Sequence, residues 1–135
     1  MDIRTATSAD RVAVTDLWEA ARLTRPWNPP LADFDRALAG PSSTILVGFD
    51  AGEMVATAMV GDDGHRGWIY YVAVPVSRRG QGLGAEIVRA AEDWLRVRGC
   101  PKVELMVRDD NSEIIGFYEA LGYVTDAVRV LGRPL

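Results

Sequence analysis

The stretch Arg78-Arg79-Gly80-Gln81-Gly82-Leu83-Gly84-Ala85 places three glycines within five residues, next to two arginines. It follows an apolar, β-branched run, Trp68 to Val74, and opens a long amphipathic pattern. Such a cluster is entropically unfavourable unless the backbone takes an unusual path or admits a ligand. The first turn of a helix carries N–H groups without intrahelical partners and the positive end of the helix dipole, so it seats phosphate readily. Arg78 and Arg79 add charge beside that seat. Taken alone, the stretch also fits a glycine-rich turn, and Gly80, Gly82 and Ala85 satisfy the loose G-x-G-x-x-A form of a dinucleotide fingerprint. No G-x-x-x-x-G-K-[ST] occurs, so a nucleotide-triphosphate loop of that type is excluded.

Composition narrows the choice. A chain of 135 residues with 48% apolar and 25% charged residues is expected to form a single domain spanning 1–135. No apolar run approaches the roughly 20 residues of a membrane helix. Met1-Asp2-Ile3-Arg4 lacks the basic and apolar regions of a signal peptide. One cysteine, Cys100, permits no internal disulfide, which fits a reducing, cytoplasmic setting. Cys100 and the single His65 build no ordinary zinc site, so no metal is expected. A net charge of −4 argues against nucleic-acid binding, although a local arginine cluster still suits a small anion.

The elements that must position the glycine loop follow from periodicity. Ile3 to Ala6 reads as a short strand, and Ala9 to Leu23 as a helix with Ser8 and Asp10 as candidate caps. Thr24 to Pro30 holds three prolines in five residues, which makes a stiff loop carrying Trp27. A shorter helix presents Leu31, Phe34, Ala37 and Leu38 on one side. Thr44 to Phe49, Met54 to Gly61 and Trp68 to Val74 then read as an antiparallel meander with tight polar turns. The helix after the glycine loop lays Leu83, Ile87, Ala90, Ala91, Trp94 and Leu95 on one face and stops at Gly99. Val103 to Val107 is the next strand, parallel to Trp68–Val74 because a helix intervenes. Asn111 and Ser112 open a last helix, through Leu121, and Tyr123 to Leu131 reads as a closing strand.

That order decides between the readings of the loop. A dinucleotide fold places its glycines after the first strand of a parallel sheet, whereas here two helices and a meander come first. Arg79-Gly80-Gln81-Gly82-Leu83-Gly84 resembles the R/Q-x-x-G-x-G/A motif of the GNAT acetyltransferases. Asn111, followed by Phe117-Tyr118-Glu119-Ala120-Leu121-Gly122-Tyr123, is similar to the N-x5-F-Y-x-x-L-G-F/Y motif of the same family. The resemblance runs along essentially the whole chain. Arg25-Pro26-Trp27-Asn28, Asp63 to Gly67, Tyr70-Tyr71 and Gly99 to Lys102 also look like stretches of the small bacterial YpeA-type subfamily. The implied fold is α/β (α+β), in the order β-α-α-β-β-β-α-β-α-β. Its mixed, mostly antiparallel sheet has six to seven strands and helices on both faces.

What the resemblance implies about chemistry is transfer of acetyl from acetyl-CoA, as co-substrate, to a primary amine by direct attack in a ternary complex. The amine of a small molecule, a peptide N-terminus or a lysine would serve. The alternative is a catalytically silent acyl-CoA-binding sensor or interaction domain of the same fold. By resemblance, Arg79, Gly80, Gln81, Gly82, Leu83, Gly84 and Ala85 hold the CoA pyrophosphate. The backbone of Val72, Ala73 and Val74 lines the pantetheine, with one N–H facing the thioester, and Asn111 contacts the pantetheine arm. Tyr118 matches the tyrosine that donates a proton to the CoA sulfur, while its spacing from Ile114, Ile115 and Leu121 also suits a core residue. Candidates for the base are His65, Asp63, Glu104, Tyr70 and Tyr71, with a water relay as the other option. Trp27 fits either a wall of the acceptor site or a lid on the core. Cys100 reads as packing. Neither a nucleic acid nor a membrane is expected as partner, and the chain is expected as monomer or homodimer.

Overall fold

The computed structural model describes residues 1–135, which form two compact units, Met1–Leu105 and Met106–Leu135. The first unit runs β1 (Asp2–Thr5), α1 (Arg11–Ala20), α2 (Pro30–Ala39), β2 (Ser43–Asp50), β3 (Glu53–Asp62), β4 (Gly67–Ala73), α3 (Leu83–Val97) and β5 (Val103–Leu105). The five strands lie side by side in the order β1-β2-β3-β4-β5. The first four are antiparallel neighbours, as the tight β2–β3 and β3–β4 turns require of those two pairs, and only β4 and β5, joined through α3, are parallel.

Alternation along the strands sends side chains to two faces. On one face Ile45 and Val47 of β2 and Ala73 of β4 pack with Val14 and Trp18 of α1 and with Phe34 and Ala37 of α2. On the other, Leu46 of β2 lies near Ala90 and Trp94 of α3, and Ile87, Val88, Ala91 and Leu95 form the buried stripe of that helix. The expected helices on both faces of the sheet are therefore present.

Three expectations need correction. The helix predicted over Ala9–Leu23 begins as a 3-10 turn, Ser8–Asp10, and its α-helical part ends at Ala20. Arg22 takes a left-handed backbone (φ 58°), and the Leu23 N–H reaches back to the Trp18 carbonyl at 3.0 Å. That back-bond caps the helix a turn early, in a position more often held by glycine. The strand predicted over Val103–Val107 is only Val103–Leu105, because β4 supplies straight partners only from Gly67 to Ile69.

The closing strand predicted over Tyr123–Leu131 does not form, so the sheet has five strands rather than six or seven. Val124, Val128 and Val130 fall at even spacings, as on one face of a strand, but they and Leu131 stand exposed. Periodicity supplies a face to bury, whereas a strand also needs a neighbour's hydrogen bonds. The second unit thus consists of α4 (Ser112–Ala120) and irregular chain on either side. No helix of the chain is long and apolar enough to cross a membrane.

Candidate active site

The glycine loop is an open cradle. Gly80 and Gly82 both have φ of +79°, and a Cβ on either would meet no atom of the chain within 4 Å. Packing therefore does not demand glycine there; the left-handed backbone does. Gly82 caps α3, and its carbonyl accepts the Glu86 N–H at 3.1 Å. The N–H groups from Gly80 to Ala85 donate to no backbone acceptor of the chain. A run of unpaired amides at the start of a 15-residue helix is a seat for an anion.

The two arginines beside it behave differently. Arg78 is occupied: its Nη2 donates to Asp50, its Nη1 to Glu53 Oε2 at 3.2 Å and its Nε to Gln81 Oε1 at 3.2 Å. The pairing holds the Asp50 carboxyl below the usual carboxylate range, chiefly through the hydrogen bond from Arg78. Arg78 thus ties the loop to the β2–β3 turn, so the charge expected beside the seat is already paired with Asp50 and Glu53. Arg79 is exposed, with no carboxylate paired to it.

Immediately before the loop, β4 leaves the ladder. Its pairing with β5 ends at Ile69 opposite Leu105, so the edge from Tyr70 to Ala73 has no β5 partner. Its pairing with β3 also shifts register between Thr57 and Met59. Tyr71 sits at this bulge with φ +52°, rare for a residue with a large side chain. Val72 and Val74 are half-buried on either side of buried Ala73. The segment Val72–Val74 therefore follows a bulge and lies beyond the last β5 pairing, while Ala73 keeps its partner Thr57 on β3.

The candidate bases fare unequally. The Tyr71 hydroxyl donates to Asp33 Oδ2 at 2.7 Å, and burial, then Asp33, pushes its pKa well up. It is a poor base. Tyr70 is partly exposed and stacks on Trp68, and burial, then Asp63, raises it as well. Glu104 lies between two cations, 3.5 Å from Arg66 Nε and 3.9 Å from Lys102 Nζ, which favours a structural pairing. Asp63 accepts the N–H groups of Arg66 at 2.7 Å and His65 at 2.8 Å, and the Trp68 indole N–H at 3.1 Å. Those bonds, Arg66 first, hold its carboxyl low, and they make it the organiser of the β3–β4 turn. His65 is an exposed residue of that turn. The Cys100 thiol lies 3.4 Å from the Lys102 carbonyl.

Trp27 is 70% exposed in the turn between Arg25 and Asn28, so it does not lid the core. Asn111 and Tyr118 belong to the second unit. Asn111 is the N-cap of α4, its Oδ1 accepting the Ile114 N–H at 3.3 Å. Tyr118 is 9% exposed and meets Phe117 and Tyr123 edge to face. Burial pushes its phenol up to about 12.

Trp18, Asp33 and Thr57, which surround Tyr71, were not singled out from the sequence. Trp18 stacks on the Tyr71 ring with centroids 3.9 Å apart, and its indole N–H donates to Thr57 Oγ1 at 3.1 Å. One signal was available. Thr57 is the lone hydroxyl in Val55-Ala56-Thr57-Ala58-Met59-Val60, and a buried hydroxyl needs partners.

Residues 12–123 match the profile of the "Acetyltransferase (GNAT) family". The chain is 44% identical to Acetyltransferase ECA0875 of Pectobacterium atrosepticum over 135 residues, all of this chain and 96% of the relative. It is 43% identical over 136 residues to Acetyltransferase SG1711 of Sodalis glossinidius, with the same coverage. A solved structure from Agrobacterium tumefaciens superposes with TM-score 0.84 at 27% identity, covering 99% of this chain and 100% of the other. The aminoglycoside N-acetyltransferase AAC(6')-Iy shares the fold at TM-score 0.85 and 18% identity, covering 98% and 93%. With the glycine motif, the meander before it and the Asn111–Tyr123 motif all in family order, the chain belongs to the GNAT family of acetyltransferases.

Proposed function

We propose that the protein moves the acetyl group of acetyl-CoA onto a primary amine by direct attack in a ternary complex. The observation that carries this reading is the run of unpaired amides from Gly80 to Ala85 at the start of α3. These amides suit the pyrophosphate of CoA, with Arg79 beside them. The fold-mate AAC(6')-Iy was solved in complex with CoA, which supports the assignment. Val72 to Val74 then line the pantetheine, and a backbone N–H there polarises the thioester carbonyl as an oxyanion donor.

The amine nitrogen bonds to the carbonyl carbon, the C–S bond breaks, and the proton lost by the nitrogen ends on the CoA sulfur. Tyr118 is the candidate donor at sulfur. A phenol near 12 stays protonated at neutral pH. Full transfer from it to a thiolate runs uphill, because the conjugate thiol is the stronger acid (a cysteine thiol titrates at about 8.5). The reading therefore gives the hydroxyl a hydrogen bond to the departing sulfur first, with the proton from the amine completing the exchange. Asn111 contacts the pantetheine arm in addition to capping α4. Exposed Trp27 is offered as the wall of the acceptor site, and the charge of −4 suits a cationic or neutral amine.

Acetyl-CoA should raise the melting temperature, and NADH or ATP should do so much less. Gly82→Asn tests the cradle, because asparagine tolerates a left-handed backbone yet fills the space. The expected result is an unchanged melting temperature of the free protein and a lost response to acetyl-CoA. A retained response would sink the loop assignment. Thiol release across a panel of small amines, lysine and peptide N-termini then identifies the acceptor. Binding without release across the panel would point to the silent sensor instead.

A further inference from the structure

We propose that Thr57, Trp18 and Asp33 are positioning residues of the acetyl-transfer site, acting by holding Tyr71 in the left-handed conformation that makes β4 bulge. The proposal rests on the reading of Val72–Val74 as the thioester-facing backbone. A left-handed tyrosine is unfavourable and persists only where its surroundings enforce it. Here they do so from three sides.

The buried Thr57 hydroxyl donates to the Tyr71 carbonyl at 3.2 Å and accepts the Trp18 indole N–H at 3.1 Å. Thr57 and Trp18 have no solvent exposure. Trp18 stacks on the Tyr71 ring at 3.9 Å with the planes 13° apart. At the outer end of the ring, the Tyr71 hydroxyl donates to Asp33 Oδ2 at 2.7 Å.

Backbone carbonyl, ring face and hydroxyl of one residue are thereby fixed by three elements, β3, α1 and α2. Thr57 also lies opposite Ala73, at the register shift itself. Thr57 therefore sets both ends of the bulged segment, Tyr71 through its carbonyl and Ala73 through strand pairing. The amides between and beside them inherit that geometry. A backbone donor displaced by about 1 Å can lose 100-fold in rate, so a side chain that never touches substrate still governs the reaction.

The test records ¹⁵N chemical shifts of backbone amides as acetyl-CoA or CoA is added to the full chain. In the native protein, acetyl-CoA should move the Val72 and Ala73 amides differently from CoA, while both ligands move Gly80 to Gly84 alike. Thr57→Val keeps the shape and removes the hydroxyl. It should lose the acetyl-specific difference and retain the glycine-loop response, and Thr57→Ser should restore the difference. Tyr71→Phe releases the ring from Asp33 without touching the core, and should weaken the same difference; it carries the test if Thr57→Val does not fold. A native-sized difference in a folded Thr57→Val, or in Tyr71→Phe, would overturn the role of Thr57 or of Asp33 respectively. Equal loss in Thr57→Val and Thr57→Ser would reduce Thr57 to packing. Unmoved Gly80 to Gly84 amides in the native chain would instead overturn the cofactor reading, and this proposal with it.

Discussion

The chain turns left-handed at Gly82 and at Tyr71, and it supports the two turns by opposite means. At Gly82 the backbone stands open, with no atom of the chain near the missing side chain. At Tyr71 a large side chain takes a comparable backbone angle, and every polar group of that side chain and the residue's own carbonyl are engaged. The first turn is set by residue type and can adapt to an incoming ligand. The second is set by tertiary contacts and is fixed before any ligand arrives. A site can thus combine a compliant anchor for a polyphosphate with a rigid edge where bond making requires fixed geometry.

The sharpest way to break this contrast is to remove the rigid side. Trp18→Ala should destabilise the fold by about 3–5 kcal/mol, since it deletes a fully buried indole and the floor under Tyr71. Denaturant midpoints at constant slope would check it. Tyr71→Phe should cost about 1.5–3 kcal/mol through the lost bond to a carboxylate.

The same variant has a pH signature. Tyr71 titrates higher folded than unfolded, chiefly through burial and then Asp33. Its contribution is complete below the unfolded value of about 10 and is lost as pH rises beyond it. Native stability should therefore fall on the alkaline side, and the Phe variant should fall less steeply. Buried Asp10 gives the mirror image, held low first by the hydrogen bonds from Arg4 at 2.7 and 3.0 Å. Its contribution is present above about 3.9 and disappears as pH drops further, so Asp10→Asn should flatten the acid limb.

On the compliant side the effects on folding should be smaller. Gly80→Ala should lower stability by only about 1 kcal/mol, the strain of one left-handed alanine. Arg78→Ala should change it by about 0–1 kcal/mol, because its ion pairs are solvent-facing. A loss in either variant comparable to that of Trp18→Ala would erase the distinction between the two turns.

The contrast also explains what the sequence made legible. The glycine loop announces itself, because glycine is both the signal and the cause of the conformation there. The α3 stripe from Leu83 to Leu95 and the meander are equally plain, since one buried face with a regular period specifies each. Tyr71 gives no such sign; nothing local distinguishes it from Tyr70, and its conformation is decided by Thr57, Trp18 and Asp33 from other elements. Arg78 read as free charge beside the loop for the same reason, its partners Asp50 and Glu53 lying in a turn far back along the chain. Val124 to Leu131 shows the reverse failure, a strand-like pattern without a partner. Local pattern speaks for elements that bury a face; it is silent where distant side chains or a missing neighbour decide.

The engagement of Arg78 has a consequence for selectivity. With that guanidinium neutralised by Asp50 and Glu53, the loop offers an anion mainly uncharged amides and the single exposed charge of Arg79. Charges more than about 8 Å away are screened at physiological ionic strength. Capture should therefore depend on how well oxygens fit the amides and should respond only weakly to added salt. A protein with net charge −4 can in this way hold a small polyanion without displaying the basic surface that would gather DNA or RNA from its surroundings.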